Sequence, residues 1–175
     1  MEWNKTKEII AVTILTILGI ACFPVNPLVL TGLIEPAFYL PLFIIGWIVW
    51  AFGMVLVIAP FIMFPRHGGV AKGKSYVHTT KLVVTGIYAV VRHPQYAGGI
   101  YALFLTTVLL YPHWIFVAMG VPGVIFLYLS TIAEDKRLVE QFGDDYRDYM
   151  ERVPRTNIFL GIIRLWRRRR QTETG

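Results

Sequence analysis

Long uncharged runs separate the polar positions of this chain. No Asp, Glu, Lys or Arg stands between Glu8 and Glu35, between Glu35 and Arg66, or between Arg92 and Glu134. A helix of about 20 mainly apolar residues crosses the roughly 30 Å hydrocarbon layer of a membrane, and each run exceeds that length. The first crossing is predicted at Ile9–Phe23, ending where Pro24, Asn26 and Pro27 interrupt it. Leu28–Ile34 is apolar but too short to span and reads as a half-helix or the far rim. The second crossing is Phe38–Phe64, with Pro41 and Pro60 near its ends, where proline does least harm. The run from His93 to Ala133 is too long for one helix. Tyr111-Pro112-His113 divides it into a hairpin of Tyr96–Leu110 and Trp114–Ala133. Its first arm is short, about 22 Å at the helical rise, which suggests that the segment leading into it already lies at membrane depth.

Beyond Ala133 the pattern changes from continuous to periodic. Leu138, Phe142, Tyr146, Tyr149 and Val153 recur at helical steps, one face of an amphipathic helix with an interruption available at Gly143. The fold class expected is all-α: a polytopic integral membrane protein with about four to five transmembrane helices and a cytoplasmic C-terminal amphipathic segment. Residues 1–175 read as a single membrane domain, with N-terminal crossings over 9–64 and a basic tail over 156–175.

Composition and charge sharpen this picture. The chain is 55% hydrophobic and only 16% charged, which excludes an ordinary soluble domain. A cleaved signal peptide would want a small-residue site after its apolar core, and Cys22-Phe23-Pro24-Val25 offers none, so a retained helix is expected. Four crossings put Lys5, Lys7, the Arg66–Arg92 segment and everything from Lys136 to Arg170 on one side. The loops near Glu35 and His113 hold no basic residue, and the positive-inside rule makes the basic face cytoplasmic. The net charge of +6 therefore does not imply nucleic-acid binding. Arg164 and Arg167–Arg170 follow an apolar stretch, as in an amphipathic tail on anionic lipid or a solvated topology anchor. Cys22, the only cysteine, excludes an intramolecular disulfide and a thiolate metal cluster and reads as a small buried hydrophobe.

Several motifs are refused for want of context. Gly68–Ser75 fits the pattern GxxxxGK[ST], but a phosphate loop must join a buried strand to a helix, and here it follows a membrane helix. No GxGxxG with a following acidic residue is present, so no Rossmann fold is encoded. His67, His78, His93 and His113 lack ligand spacing, and no metal site is expected.

Two segments hold the unusual chemistry. In Thr80–Gly99, Thr85-Gly86 signals a turn and Pro94 a helix start, which sets Arg92 and His93 just before a helix N-terminus, where negative charge is favoured. In Glu134–Arg155, Glu134 falls one turn before Leu138 on the inward face. A carboxylate there is costly unless partnered, and is a site candidate for that reason. Asp144, Asp145 and Asp148 read as a solvated face.

Together these segments resemble the isoprenylcysteine carboxyl methyltransferase and phospholipid methyltransferase superfamily. The blocks that carry the resemblance are Leu82, Gly86 with Tyr88, Arg92–Tyr96, Glu134-Asp135 with Leu138, Phe142-Gly143 with Tyr146 and Tyr149, and Val153-Pro154. They fall in order over residues 78–155, the catalytic region that the resemblance implies. Two departures stand out: the second acidic position is Asp135 rather than Glu, and Arg155-Thr156-Asn157 follows where the family often continues towards another proline. The resemblance implies S-adenosylmethionine bound without a Rossmann fold, at Thr80, Lys81, Leu82, Val83, Tyr88, His93, Pro94, Gln95, Tyr96 and Glu134, with S-adenosylhomocysteine as product. It implies methyl transfer to the carboxylate of a prenylated cysteine or a similar lipophilic acceptor, entering from the bilayer. Arg92 is the candidate for orienting that carboxylate, Arg155 a second one, and Glu134 or His93 an assistant if the acceptor is an amine.

The alternatives are a phospholipid N-methyltransferase, an NADPH-dependent sterol reductase relative using Lys72, Lys74 and Lys81, and a structural membrane protein without a cofactor. Neither nucleic acid nor a metal is expected as a partner, and the oligomeric state is open, a monomer included.

Overall fold

The computed structural model describes residues 23–68 and 80–173. The expected first crossing at Ile9–Phe23, with Lys5, Lys7 and Cys22, lies almost wholly outside them. So do Lys72, Lys74, His78 and most of the glycine-rich loop. Every regular element among the described residues is helical, which leaves no place there for a Rossmann sheet.

A short helix, α1 (Pro27–Leu30), begins as local chemistry dictates: Pro27 stands in its first turn and Asn26 caps it, Oδ1 accepting from the Leu28 amide at 2.9 Å. The long helix α2 (Leu40–His67) then runs straight through Pro60, which is buried inside it rather than near its end. Its segment Leu40–Phe64 is long and apolar enough to cross a membrane. Ile44, Ile48, Val55 and Ile58 point outward, and a helix that is apolar all round needs lipid rather than water outside it.

A turn of 3-10 helix at Gly86–Ala89 precedes α3 (Pro94–Leu110), which starts at the proline as expected. Within α3, Ile100–Leu105 widens into a π-helical stretch. There the Thr106 hydroxyl donates to the Tyr101 carbonyl at 2.9 Å and that of Thr107 to Leu103 at 2.6 Å, so backbone loosened by the wider turn keeps its partners.

Helix α4 (Trp114–Phe142) carries the second apolar stretch of spanning length and outruns the predicted end at Ala133 by more than two turns. Nothing between Ala133 and Phe142 breaks a helix, and polarity alone ends a membrane span, not the hydrogen-bond ladder. Gly143, at φ +60°, stops it and permits the bend into α5 (Asp144–Arg152). The basic tail forms α6 (Ile158–Glu173).

The described residues group into two compact units. One comprises 23–53 and 99–127, the other 54–98 and 128–173. In the first, α2 and α3 approach closely enough that Gly53 lies against the Ala102 backbone, and Phe104 fills the space that Gly123 leaves. In the second, Tyr146, Tyr149 and Val153 form a buried cluster against Leu82, Leu138, Val139, Phe142 and Met150. The periodic residues of α4 and α5 thus meet the leucine of the 80–91 segment.

Candidate functional site: a buried carboxylate beside a cavity

All the unusual chemistry lies in the second unit. Just before α3, the amide of Arg92 donates to the Pro154 carbonyl at 3.0 Å and that of His93 to the Arg155 carbonyl at 3.1 Å. Two backbone hydrogen bonds thereby lay Arg-His-Pro alongside Val-Pro-Arg. The Tyr149 hydroxyl adds a third tie, donating to the Tyr88 carbonyl at 2.6 Å.

At the centre of this arrangement is Asp135, 3% exposed. Its Oδ1 accepts from His93 Nε2 at 2.7 Å and from the Tyr146 hydroxyl at 2.6 Å. Its Oδ2 accepts from Arg155 Nε at 2.9 Å and from Arg92 Nη1 at 3.2 Å. An ionised carboxyl only accepts, so facing it His93 Nε2 carries the proton. Four donors, two of them permanent cations, meet the condition under which a buried charge is tolerated. The Tyr146 phenol titrates above its ordinary range, through burial first and then its bond to Asp135. That of Tyr149 rises mainly through burial. Both therefore act as neutral donors.

Beside this network is a cavity of about 400 Å³, within the range of small-molecule sites. Of the residues that sequence analysis assigned to the cofactor, Lys81, Leu82, Val83, Tyr88, His93, Pro94, Gln95, Tyr96 and Glu134 line it, as does Arg92. Thr80 does not. It is exposed, and its amide donates to the Gly68 carbonyl at 3.1 Å. Arg155 is absent from the wall as well: its guanidinium reaches Asp135 and, at 3.3 Å, the Tyr128 hydroxyl.

Glu134 has the partner that a carboxylate on this face requires: it is held in a fork by Arg137, Nη2 to Oε1 at 2.5 Å and Nε to Oε2 at 3.1 Å, with its side chain 30% exposed. The face it shares with Leu138 and Phe142 borders the cavity, and the carboxylate sealed inside is the next residue along. In the sequence Asp135 reads only as a departure from a pattern, and nothing there marks Arg137 and Phe64, which also line the cavity. Asp135 could have been signalled by charge balance, since Arg92 and Arg155 flank the two blocks and need a shared anion. Arg137 gave only the i,i+3 spacing of any surface pair.

The wall has the chemistry for a polar, cationic ligand with an aromatic part. Phe64, Tyr88 and Tyr96 supply ring surface, Glu134 a negative charge, and Gln95 an amide. Among the described residues the Nε–H of Arg92 is buried without a hydrogen-bond partner, a donor left over beside a cavity.

Residues 41–145 match the phospholipid methyltransferase family. The chain is 31% identical over 117 residues to a methanethiol S-methyltransferase of Pseudomonas deceptionensis, a match covering 64% of this chain and 42% of that protein. It is 36% identical over 67 residues to methanethiol S-methyltransferase 1 of Bradyrhizobium diazoefficiens, covering 38% and 22%. To the mouse (Mus musculus) protein-S-isoprenylcysteine O-methyltransferase it is 38% identical over 81 residues, covering 46% and 28%. The matches thus span less than half the length of these relatives. No solved structure matches. With the family match extending over more than half of the chain, from α2 into α5, this protein belongs to the phospholipid methyltransferase family.

Proposed function

We propose that the chain is a membrane methyltransferase that binds S-adenosylmethionine in the cavity of the second unit and methylates the carboxylate of a prenylated cysteine or a similar lipophilic acceptor. The observation that carries this reading is the single cavity wall shared by Lys81–Val83, Tyr88, His93–Tyr96 and Glu134. These segments spread over more than fifty positions of sequence, and the family resemblance implies one cofactor for all of them.

The residues fit that cofactor. Tyr88 and Tyr96 offer faces to an adenine or a sulfonium, Glu134 a counter-charge, and Gln95 hydrogen bonds to polar groups. When bound, S-adenosylmethionine supplies an electrophilic methyl, whose transfer to a carboxylate forms an ester and leaves a neutral thioether. The chain's own part is positioning and charge. A carboxylate is ionised near neutral pH and needs no base. Among the lining residues Glu134 is engaged by Arg137 and His93 Nε2 by Asp135, an arrangement that suits an acceptor arriving as an anion. Arg92 keeps one guanidinium edge on Asp135, and its unpartnered Nε–H is the donor available to orient such an acceptor. Asp135 positions: it holds Arg92, His93 and Tyr146 in the wall. The one-sided distribution of Lys and Arg supports a cytoplasmic opening for this site.

A thiol acceptor is the second reading. It is favoured by the longer match, 117 residues, to a relative named for methanethiol. A thiol must lose its proton, and the imidazole of His93, oriented by Asp135, is the base at hand.

The test is titration of the purified protein in mild detergent with S-adenosylhomocysteine and, separately, NADPH, on the wild type, Glu134→Gln and Tyr88→Ala. Saturable S-adenosylhomocysteine binding that weakens in both variants, with thermal unfolding still cooperative, is expected. Binding of NADPH alone, or of neither, sinks the proposal. Transfer of labelled methyl to a farnesylated cysteine, to methanethiol and to phosphatidylethanolamine then separates the acceptors.

A further inference from the structure

Helix α6 (Ile158–Glu173) has two unlike faces, and the function proposed above uses neither. One face is seated on the rest of its unit. Ile158 is buried, and Gly161 lies so close to the Val90 carbonyl that a Cβ would collide with it. The Arg164 Nη1 donates to the Glu151 carbonyl at 3.2 Å and the Arg168 Nη2 to the Ala89 carbonyl at 3.2 Å. Two of the tail's arginines thus serve to dock the helix.

The opposite face is apolar and uncovered. At 100° per residue, Phe159, Ile162, Ile163 and Trp166 fall within one arc of about 100°. They are 75%, 53%, 48% and 54% exposed. Arg167 and Arg169 flank that arc, and Arg170 stacks its guanidinium on the Trp166 ring at 3.7 Å from the ring centre. Water would not favour four large apolar side chains side by side on a docked helix. A protein groove would not explain why arginines stand on both sides of the stripe. A leaflet surface answers both, with acyl chains for the stripe and anionic headgroups for the arginines.

We propose that the outward face of α6 is an interfacial membrane-binding surface, with Phe159, Ile162, Ile163 and Trp166 sunk at the headgroup boundary and Arg167, Arg169 and Arg170 held by anionic lipid. The surface stands independently of any methyl transfer.

The full chain is reconstituted in nanodiscs of phosphatidylcholine alone or mixed with phosphatidylglycerol. Ile162→Cys, in a Cys22→Ala background, carries a polarity-sensitive fluorophore. The expected result is emission at shorter wavelength in the anionic discs than in the neutral ones. Added salt should reduce the shift, and Arg167→Gln/Arg169→Gln/Arg170→Gln should abolish it. A probe at position 158, on the docked face, should report the same environment in both lipids, which shows that the protein is folded. Solvent-like emission from position 162 in both discs would overturn the proposal. Equal shielding in both discs, as a second copy of the chain or another protein segment on the stripe would give, would also overturn it. So would a shift that the triple variant leaves unchanged.

Discussion

In the unit formed by residues 23–53 and 99–127, the buried polar side chains are neutral and satisfied close to home. Thr106 and Thr107 donate to carbonyls of their own helix, and Asn26 caps α1. Glu35 is the only Asp, Glu, Lys or Arg among its described residues. In the unit formed by 54–98 and 128–173, Thr131 is buried and satisfied in the same local way, but beside it stands a buried carboxylate with four donors drawn from three separate stretches of chain. The first unit is held by shape, as at Gly53 against Ala102, and the second by shape and charge together. Shape packing degrades gradually as atoms are lost, whereas a charge network fails when one member is removed and the others stay buried. Chemistry that needs fixed charges belongs in the second kind of structure, and there the cavity lies.

Asp135→Ala should be the most damaging single change. With Arg92 and Arg155 left facing each other without their anion, a loss of about 3–5 kcal/mol is expected. S-adenosylhomocysteine binding should vanish with it. Thr106→Val, a buried polar deletion in the other unit, should cost only about 1 kcal/mol. Thermal unfolding of both variants in one detergent makes the measurement, and equal losses would erase the distinction between the units.

Shape should matter alike in both. Gly53→Val brings a Cβ to within 2.6 Å of the Ala102 amide nitrogen, and Gly161→Val meets the Val90 carbonyl. Each should cost about 1–3 kcal/mol. In the same unfolding assay, a neutral Gly53→Val would show that α2 and α3 have room to separate.

A smaller effect is expected from Tyr149→Phe, about 1 kcal/mol for its bond to the Tyr88 carbonyl. The variant also carries a pH signature. The folded-state pKa of Tyr149 lies above its unfolded value, so its contribution is fully present below about pH 10 and is lost as the pH rises beyond. The unfolding midpoint of the wild type should fall on the alkaline side, and Tyr149→Phe should flatten part of that fall. Parallel curves would remove the phenol from the account.

The smallest stability effect belongs to Glu134→Gln. Its pair with Arg137 is partly exposed, and such pairs contribute about 0–1 kcal/mol. Binding of S-adenosylhomocysteine should nevertheless weaken. A variant that loses stability and binding in proportion would make Glu134 structural instead.

Much of the region over residues 78–155 was legible because its signals are local. Pro94 starts a helix wherever it stands after a turn, and Gly143 ends one by entering a region of φ closed to most residues. Leu138, Phe142, Tyr146, Tyr149 and Val153 announced a shared face, and all five belong to one cluster. Periodicity could not tell which of two adjacent carboxylates is sealed in. Glu134 and Asp135 differ by 100° on α4, and the face carrying Leu138 and Phe142 turned out to border a cavity, where an acid can keep a partly wet partner. Asp135 is buried because Arg92, His93, Tyr146 and Arg155 converge on it, and no local rule relates positions that far apart.

The sequence by itself determined the apolar helices, the sites where they start and bend, and the blocks from which the family could be recognised. All of these depend on hydrophobicity, backbone freedom or order along the chain, which are properties of short stretches. Only the tertiary structure decided that Asp135 rather than Glu134 is the buried anion, that Arg155 pairs with it, and that α6 docks through Arg164 and Arg168 and leaves its apolar stripe outward. Those outcomes depend on which distant backbone carbonyls and guanidinium groups arrive at the same point, and burial is settled only when they meet.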